Sequence, residues 1–224
     1  MAEHFNLRGI GMTSQRARDR LVLNLEAKGI SNRDVLKAIK NIPRHIFIDE
    51  ALAHGAYENN ALPIGYNQTI SQPYIVAKMT ELLLQYRPLK KVLEVGTGSG
   101  YQTAILSQLV GKVYSVERIK PLQERAARRL SALQINNIHL EHTDGGFGLA
   151  KLAPFDAILV TAAADAVPQD LLDQLVINGA MVIPVGDSKN QQLKLITKKS
   201  AHGFDTQIIE AVNFVPLLAG VVNS

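Results

Sequence analysis

Apolar and polar positions follow two different periods along this chain. From residue 91 onward, short β-branched runs alternate with stretches of helical periodicity, which is typical of βαβ units on a parallel sheet covered on both faces. The intervening helices are predicted at about 101–110, 121–133 and 168–175. Only residues 199–206 separate the last two strands, too few for a helical crossover, so we expect an antiparallel pair there. The predicted strands cover residues 91–95, 113–116, 138–141, 156–161, 180–184, 192–198 and 208–215.

The first ninety residues carry helix signals separated by segments marked by Pro and Gly, with no clear run of alternating strands. Ser14 opens an amphipathic stretch that ends near Lys28, which predicts one short helix. Ser31, three residues before Asp34, resembles a capping box and predicts a second helix that ends before Pro43. We therefore expect a helical N-terminal appendage.

The composition is that of an ordinary globular protein. The chain has 224 residues, of which 46% are hydrophobic and 20% charged, with a net charge of +4. These values exclude disordered and fibrous classes, and the length suits one large domain or one domain with an appendage. We predict an N-terminal segment over 1–90 that packs on a core over 91–224.

The residue types and segments that the sequence lacks limit the functions that we expect. Cysteine does not occur, which excludes disulfides, thiolate nucleophiles and cysteine-ligated metals and is compatible with the cytosol. The longest nearly apolar stretch, 157–164, is far shorter than the roughly 18 residues of a membrane helix, and the chain start lacks the order of a signal peptide. We expect a cytoplasmic protein with no membrane partner.

Basic residues and histidines add little functional signal. The densest basic cluster, Arg125, Arg128 and Arg129, falls on a predicted helix, where a solvated face explains it better than nucleic-acid binding. Of the six histidines, only His139 and His142 are close together, and a strand would point them to opposite faces. We expect no nucleic-acid partner and no metal.

A glycine-rich segment, EVGTGSG, follows the first predicted core strand and opens a helix. Gly96, Gly98 and Gly100 let the backbone turn sharply and let a ligand approach without a Cβ in the way. The spacing is not that of dinucleotide enzymes, and Glu94 stands two residues before the first glycine, which points away from NAD. The segment predicts a nucleotide-like cofactor, although such a sequence can also be only a turn.

An acidic residue, Glu117, ends the second predicted core strand. At the carboxyl edge of a parallel sheet, an acidic side chain can accept both hydroxyls of a ribose. The alternative is a solvated acid at a strand end. Together with the glycine-rich turn, in this order, Glu117 favours the cofactor interpretation.

The segments VLEVGTGSGY and VYSVER resemble the S-adenosylmethionine site of the class I methyltransferases. Further segments resemble one subfamily, the protein-L-isoaspartate O-methyltransferases, over about residues 10–218. The TISQP segment lies outside the generic cofactor motifs and is the most specific. The segments that carry this second resemblance are PRH, LPIG, QTISQPY, FDAILVTAA and FVPL.

The resemblance implies a fold and an activity. The fold is a Rossmann-like, doubly wound α/β sheet of seven mostly parallel strands with an N-terminal helical appendage and an active-site loop. The activity is methyl transfer from S-adenosyl-L-methionine to the free carboxylate of L-isoaspartyl residues in damaged proteins and peptides. Ester formation lets the backbone close again to a succinimide, which begins repair.

The resemblance also implies site residues. Ser71 is the expected catalytic residue, although it could instead cap the helix that begins near Pro73. Ile64, Ser71, Val185 and Gly186 are expected to bind substrate, the last two by backbone pairing with an extended peptide. Asp144 and Gly145 are placed near the adenine, or form a plain turn. The expected cofactor-binding residues are Thr69, Ile70, Glu94, Gly96, Thr97, Gly98, Ser99, Gly100, Glu117, Asp144, Gly145 and Thr161.

Two departures from the family pattern concern the loop and the chain end. Tyr66 and Asn67 stand where the family usually has His-Gly, and Leu218 stands where it often has Thr. They bear on loop shape and substrate affinity more than on reaction type. Two other functions remain open: a class I methyltransferase acting on RNA or a small molecule, and a non-catalytic cofactor-binding or interaction module. The intact segment around Ser71 argues against the second.

Overall fold

The computed structural model describes Leu7, residues 9–85 and residues 88–224. Its helices are α1 (Gln15–Ala27), α2 (Arg33–Asn41), α3 (Pro73–Leu84), α4 (Tyr101–Ser107), α5 (Lys120–Ala132) and α6 (Gln169–Asp173). Its strands are β1 (Leu62–Gly65), β2 (Gln68–Ile70), β3 (Lys91–Val95), β4 (Lys112–Glu117), β5 (Ile138–His142), β6 (Phe155–Val160), β7 (Leu175–Gly186), β8 (Gln191–Lys198) and β9 (Phe204–Val212). Short 3-10 turns connect several of them.

Seven of the strands form one sheet, in the order β5-β4-β3-β6-β7-β8-β9. The strands β5 to β7 are parallel, and β8 and β9 complete the sheet in antiparallel pairs. The predicted doubly wound, mostly parallel fold is confirmed. The strand order reverses direction between β3 and β6, and a crevice opens at the carboxyl ends of strands at such a switch point.

The central strands fall where periodicity predicted them, and the outer ones differ. β3 matches its prediction at both ends. β7 begins at Leu175 rather than at residue 180, because Leu175 pairs with Phe155 ahead of an irregularity in the register. β9 spans Phe204–Val212 instead of 208–215. The residues after Val212 therefore lie outside the sheet.

The N-terminal helices pack on the core rather than standing apart from it. Leu21 and Leu25 of α1 belong to the same buried cluster as Tyr101 of α4 and Ala126 of α5. Burial of this apolar face supplies the stability that two short helices lack on their own. The N-terminal segment is thereby held against the first crossover helices of the sheet.

Two expectations for the N-terminal segment are wrong. The segment contains strands, because β1 and β2 form an antiparallel hairpin. The cap of α2 is Asn32, whose side chain accepts from the backbone N–H groups of Asp34 and Val35. The preceding Ser31 does not cap α2. Both its backbone N–H and its hydroxyl donate instead to Glu81 Oε1.

Candidate cofactor and acceptor site

The loop after β3 depends on its glycines. Gly96, Gly98 and Gly100 have φ values of 98°, 52° and 89°, in the left-handed region that only glycine adopts at little cost. A Cβ on Gly96 would overlap the Thr161 hydroxyl. That hydroxyl bonds the carbonyl oxygens of Val95 at 3.0 Å and Gly96 at 2.8 Å. The loop is therefore clamped to the residue that follows β6.

A cleft opens at this switch point, above the glycine-rich loop. Of the predicted site residues, ten line it: Thr69, Ile70, Ser71, Gly96, Thr97, Gly98, Ser99, Glu117, Gly145 and Thr161. The structure thus brings together the active-site loop, the glycine-rich loop and the strand-end acid. The cleft is also lined by Gln68, Val76, Val95, Tyr101, Gln102, Val116, Arg118, Ala162 and Val215 to Leu218.

Glu117 lies on the wall of this cleft with its carboxylate fixed. Its Oε2 accepts from the Gly98 N–H at 2.8 Å and its Oε1 from the Ile119 N–H at 2.9 Å. Burial raises the pKa of Glu117, and these backbone donors oppose the rise. A carboxylate has about four acceptor positions, so each oxygen keeps capacity for a ligand hydroxyl. This geometry suits a ribose diol.

Glu94, in contrast, does not reach the cleft. It is fully buried, and its Oε2 accepts from Thr103 at 2.5 Å and from Ser115 at 2.6 Å. The Ser115 hydroxyl also lies 2.6 Å from the Thr97 hydroxyl on the glycine-rich loop. Burial raises the pKa of Glu94 to about 8. Direct ligand contact by Glu94 stays a prediction, and in this structure Glu94 connects β3, β4 and the glycine-rich loop through these hydrogen bonds.

Ser71 lies between the hairpin strand β2 and the helix α3. It does not cap α3, because Gln72 holds the cap position and Pro73 begins the helix. Ser71 is half-buried, and no hydrogen-bond partner for its hydroxyl is found in the described part of the chain. The cap interpretation of Ser71 is therefore wrong, and its hydroxyl is available to a ligand.

A second cavity adjoins the first. Thr69, Ser71, Thr161 and Val215 line both cavities. Two ligands in these cavities would thus meet at a wall that includes the Ser71 hydroxyl. The arrangement suits group transfer between a donor in one cavity and an acceptor in the other.

The structure contradicts the predicted peptide pairing at Val185 and Gly186. Val185 pairs with Gln192 of β8 and forms a bridge to Ala164, and the Gly186 N–H donates to the Ala164 carbonyl at 2.9 Å. Both backbone edges are already used within the protein. No edge remains here for an extended peptide.

Ile64, Gly100 and Asp144 do not line the cleft. Ile64 is buried, and its Cδ1 lies 3.5 Å from where a Cβ on Gly98 would be. Asp144 Oδ1 caps the following turn at the Gly146 N–H, and its Oδ2 accepts from the Gly220 N–H. These residues shape the site from outside it, and any direct ligand contact by them stays a prediction.

The C-terminal segment crosses the mouth of the cleft. The sequence analysis did not assign this segment to the site. The Ala163 N–H donates to the Val215 carbonyl at 2.8 Å, which anchors one end beside β6. The Val222 N–H donates to the Arg118 carbonyl at 2.7 Å, which anchors the other end beside β4. Between these anchors, residues 215–218 form part of the wall. In the sequence, the FVPL motif was the feature that could have indicated this role of the C-terminal segment.

The described residues provide neither a metal site nor a membrane-spanning helix. The described residues contain no group of three or more His, Asp or Glu side chains that could hold a metal ion, and His4 lies outside them. Within the same ranges, every helix is too short or too polar to cross a membrane.

The switch-point crevice, the glycine-rich loop and the strand-end acid define a Rossmann-like protein with a nucleoside-type cofactor site. The family model described as Protein-L-isoaspartate(D-aspartate) O-methyltransferase (PCMT) matches residues 15–221. The Protein-L-isoaspartate O-methyltransferase of Pseudomonas paraeruginosa is 57% identical over 211 residues, which are 94% of this chain and 100% of that protein. Protein-L-isoaspartate O-methyltransferase 1 of Marinobacter nauticus is 57% identical and covers 96% of this chain and 98% of its own length.

Solved structures agree with these relatives. A Plasmodium falciparum structure, described as a protein-L-isoaspartate O-methyltransferase in complex with S-adenosyl-L-homocysteine, has a TM-score of 0.79 at 28% identity and covers 90% of this chain and 98% of that one. A second structure named protein-L-isoaspartate O-methyltransferase has a TM-score of 0.80 at 28% identity. The match covers 91% of this chain and 67% of that one. The chain belongs to the PCMT family.

Proposed function

We propose that this protein transfers a methyl group from S-adenosyl-L-methionine to the free carboxylate of L-isoaspartyl residues in proteins and peptides. Family membership supports this activity. The observation that carries it to this chain is the position of Ser71, on the wall shared by the two cavities. One cavity takes the methyl donor, and the other takes the acceptor.

The residues of the first cavity fit S-adenosyl-L-methionine. When bound, the cofactor supplies a methyl group activated on a sulfonium. Glu117 offers carboxylate oxygens to a ribose, and the loop at Gly96 and Gly98 lets a ligand approach the backbone closely. The product of that cofactor occupies the Plasmodium falciparum relative. Glu94 supports the loop through Ser115 and Thr97.

The acceptor needs orientation more than activation. A carboxylate with an ordinary pKa near 4 is already ionised at neutral pH, so no general base is required. The half-buried Ser71 hydroxyl can donate a hydrogen bond to it and hold one oxygen toward the first cavity. Transfer from a sulfonium to a carboxylate cancels opposite charges, which a closed site with little water favours.

The biological partners follow from this acceptor. Isoaspartyl-containing proteins and peptides are the proposed substrates, without nucleic acid or membrane. Methoxide leaves an ester far more readily than oxide leaves a carboxylate, so the neighbouring backbone amide nitrogen can attack the ester carbonyl, release methanol and close to a succinimide. Hydrolysis of that ring returns some chains to normal aspartate, which is a repair reaction.

The test uses two peptides that differ only in Asp or isoAsp at one position. Each is incubated with the purified protein and methyl-labelled S-adenosyl-L-methionine, and base-labile label is measured. We expect label in the isoAsp peptide alone. Absence of label from both, with cofactor binding intact by calorimetry, would contradict the proposal and favour an RNA or small-molecule acceptor.

A further inference from the structure

The wall of the cofactor cleft contains a side-chain amide that the transfer reaction does not use. Gln102, the second residue of α4, lines the cleft and is otherwise buried. Its Nε2 donates to the Thr80 hydroxyl of α3 at 3.0 Å. The Thr80 hydroxyl donates its own proton to the Val76 carbonyl at 2.7 Å, so it can only accept from Gln102. These two hydrogen bonds fix the orientation of the amide.

The amide oxygen of Gln102 is available to a ligand. Gln102 Oε1 has no hydrogen-bond partner in the described part of the chain, yet it is not shielded from solvent. Since Gln102 is buried apart from its share of the cleft wall, this accessible oxygen faces the cleft. An amide oxygen accepts hydrogen bonds and donates none. The cleft wall therefore presents a hydrogen-bond acceptor at this point.

The strand order relates Gln102 to the ribose position at Glu117. Glu117 ends β4, whereas α3, which holds the Gln102 amide, packs on β6 and β7 through residues that include Ile75 and Met79. The order β4-β3-β6-β7 places β3 between these two sides of the cleft. A cofactor with its ribose at Glu117 therefore brings one of its ends across β3 to Gln102.

The end that meets Gln102 is the amino-acid end. Methyl transfer requires the sulfonium at the wall shared with the second cavity, which includes Ser71, and Ser71 lies two residues before α3 begins. The sulfonium links the ribose to the amino-acid chain, so this chain continues on the side of α3. Gly145, which follows β5 on the far side of β4, lines the other end of the cleft. The α-ammonium group of the amino-acid end is a donor without an acceptor and complements a free amide oxygen.

We propose that Gln102 binds the amino-acid end of S-adenosyl-L-methionine, with Oε1 accepting a hydrogen bond from the α-ammonium group. This inference rests on the proposed function, in which the first cavity takes the methyl donor. The bond from Nε2 to Thr80 holds the oxygen in position before the ligand arrives, which lowers the entropy cost of binding. Gln102 thus selects ligands that carry the amino-acid end.

The experiment compares two ligands by calorimetry. S-adenosyl-L-homocysteine has the amino-acid end, whereas 5′-methylthioadenosine keeps the adenosine and the sulfur but lacks that end. Gln102→Met removes the acceptor and should lower the preference for S-adenosyl-L-homocysteine by about 10-fold, the size of a hydrogen bond to a charged group. Its affinity for 5′-methylthioadenosine should match that of the wild type, since the rest of the cleft is unchanged.

Two further variants separate this role from a structural one. Gln102→Glu keeps an acceptor at the same position and adds an opposite charge, so it should retain or increase the preference. Gln108→Met is the matched control, because Gln108 lies exposed at the C-terminal end of α4 outside the cleft. It should leave the preference unchanged.

An unchanged preference in Gln102→Met would overturn the proposal. An equal loss in Gln102→Glu or in Gln108→Met would overturn it as well. Either result, with isoaspartyl methylation by the wild-type protein intact, refutes this inference alone. Absence of isoaspartyl methylation by the wild type refutes the proposed function.

Discussion

The guanidinium of Arg125 lies over the ring of Tyr66, with Cζ 5.4 Å from the ring centroid. Tyr66 and Asn67 form the tip of the β1–β2 hairpin at φ values of 54° and 55°, which are unfavourable for a residue as bulky as tyrosine. Arg125 belongs to α5, so this contact attaches the hairpin to the core. The same hairpin leads directly to Ser71.

Loss of this contact should loosen the segment that carries Ser71. An exposed cation–π contact contributes about 0.5–1 kcal/mol, so Arg125→Met should lower kcat/KM for an isoaspartyl peptide by about 2- to 5-fold. Lys120→Met, at an exposed position of the same helix, serves as the control. Equal kinetics for the two variants would show that the contact does not position the hairpin.

Ser71→Ala should lower kcat/KM for isoaspartyl peptides. A hydrogen bond to a charged group contributes about 1.5–3 kcal/mol, which predicts a loss of about 10- to 150-fold. Cofactor affinity, measured by calorimetry, should change little, because removal of the hydroxyl leaves the rest of the cleft wall in place. Unchanged kcat/KM would rule out the orienting role.

Glu117→Gln should weaken binding of S-adenosyl-L-methionine by about 10- to 100-fold. The amide nitrogen of Gln would face one of the two backbone N–H donors, from Gly98 or Ile119, that now bond to the carboxylate. Calorimetric titration measures the loss directly. Glu141→Gln, which removes a carboxylate from the neighbouring strand β5 outside the cleft, should bind the cofactor like the wild type.

Gly96→Ala should abolish cofactor binding and lower the melting temperature. Alanine at φ 98° is strained, and its Cβ would also overlap the Thr161 hydroxyl. Gly29→Ala has nearly the same strain at φ 91° but meets no atom within 4 Å. It should therefore lose only stability, about 1–2 kcal/mol. Equal loss of binding in both variants would refute the role of the Gly96–Thr161 contact.

Glu94 should make the cofactor-free protein less stable as pH rises. Its pKa is raised from 4.5 to about 8 by burial, so between these values the folded state holds a proton that the unfolded state has lost. Stability from this group is full below pH 4.5 and declines up to about pH 8. The fall in melting temperature between pH 6 and about pH 8 should be smaller in Glu94→Gln. An equal fall in melting temperature in the wild type and in Glu94→Gln would contradict this role of Glu94.

Periodicity predicted the central sheet well because its strands are buried on both faces and its helices carry apolar stripes. The β1–β2 hairpin was missed because its strands are short, contain Pro63, and turn through residues with positive φ. The signal for such a turn is weak in Tyr66-Asn67, because asparagine adopts positive φ readily but tyrosine does not.

The candidate site was predicted where a motif and a strand end coincide, as at Gly96, Gly98 and Glu117. Local sequence could not show that Glu94 points below the loop, because the burial of a strand residue depends on what covers each face. It also could not relate Gln102 to Thr80, which lies 22 residues away on another helix. The backbone partners of Val185 and Gly186 come from tertiary pairing as well.

The most direct test of the central claim locates the methyl group on a single peptide. The peptide carries isoaspartate, aspartate, glutamate and a free C-terminal carboxylate, and is incubated with the protein and S-adenosyl-L-methionine. Tandem mass spectrometry after an acidic quench then identifies the esterified group. We expect one methyl ester, on the isoaspartyl carboxylate. Esters on the other carboxylates, or none on isoaspartate, would contradict it.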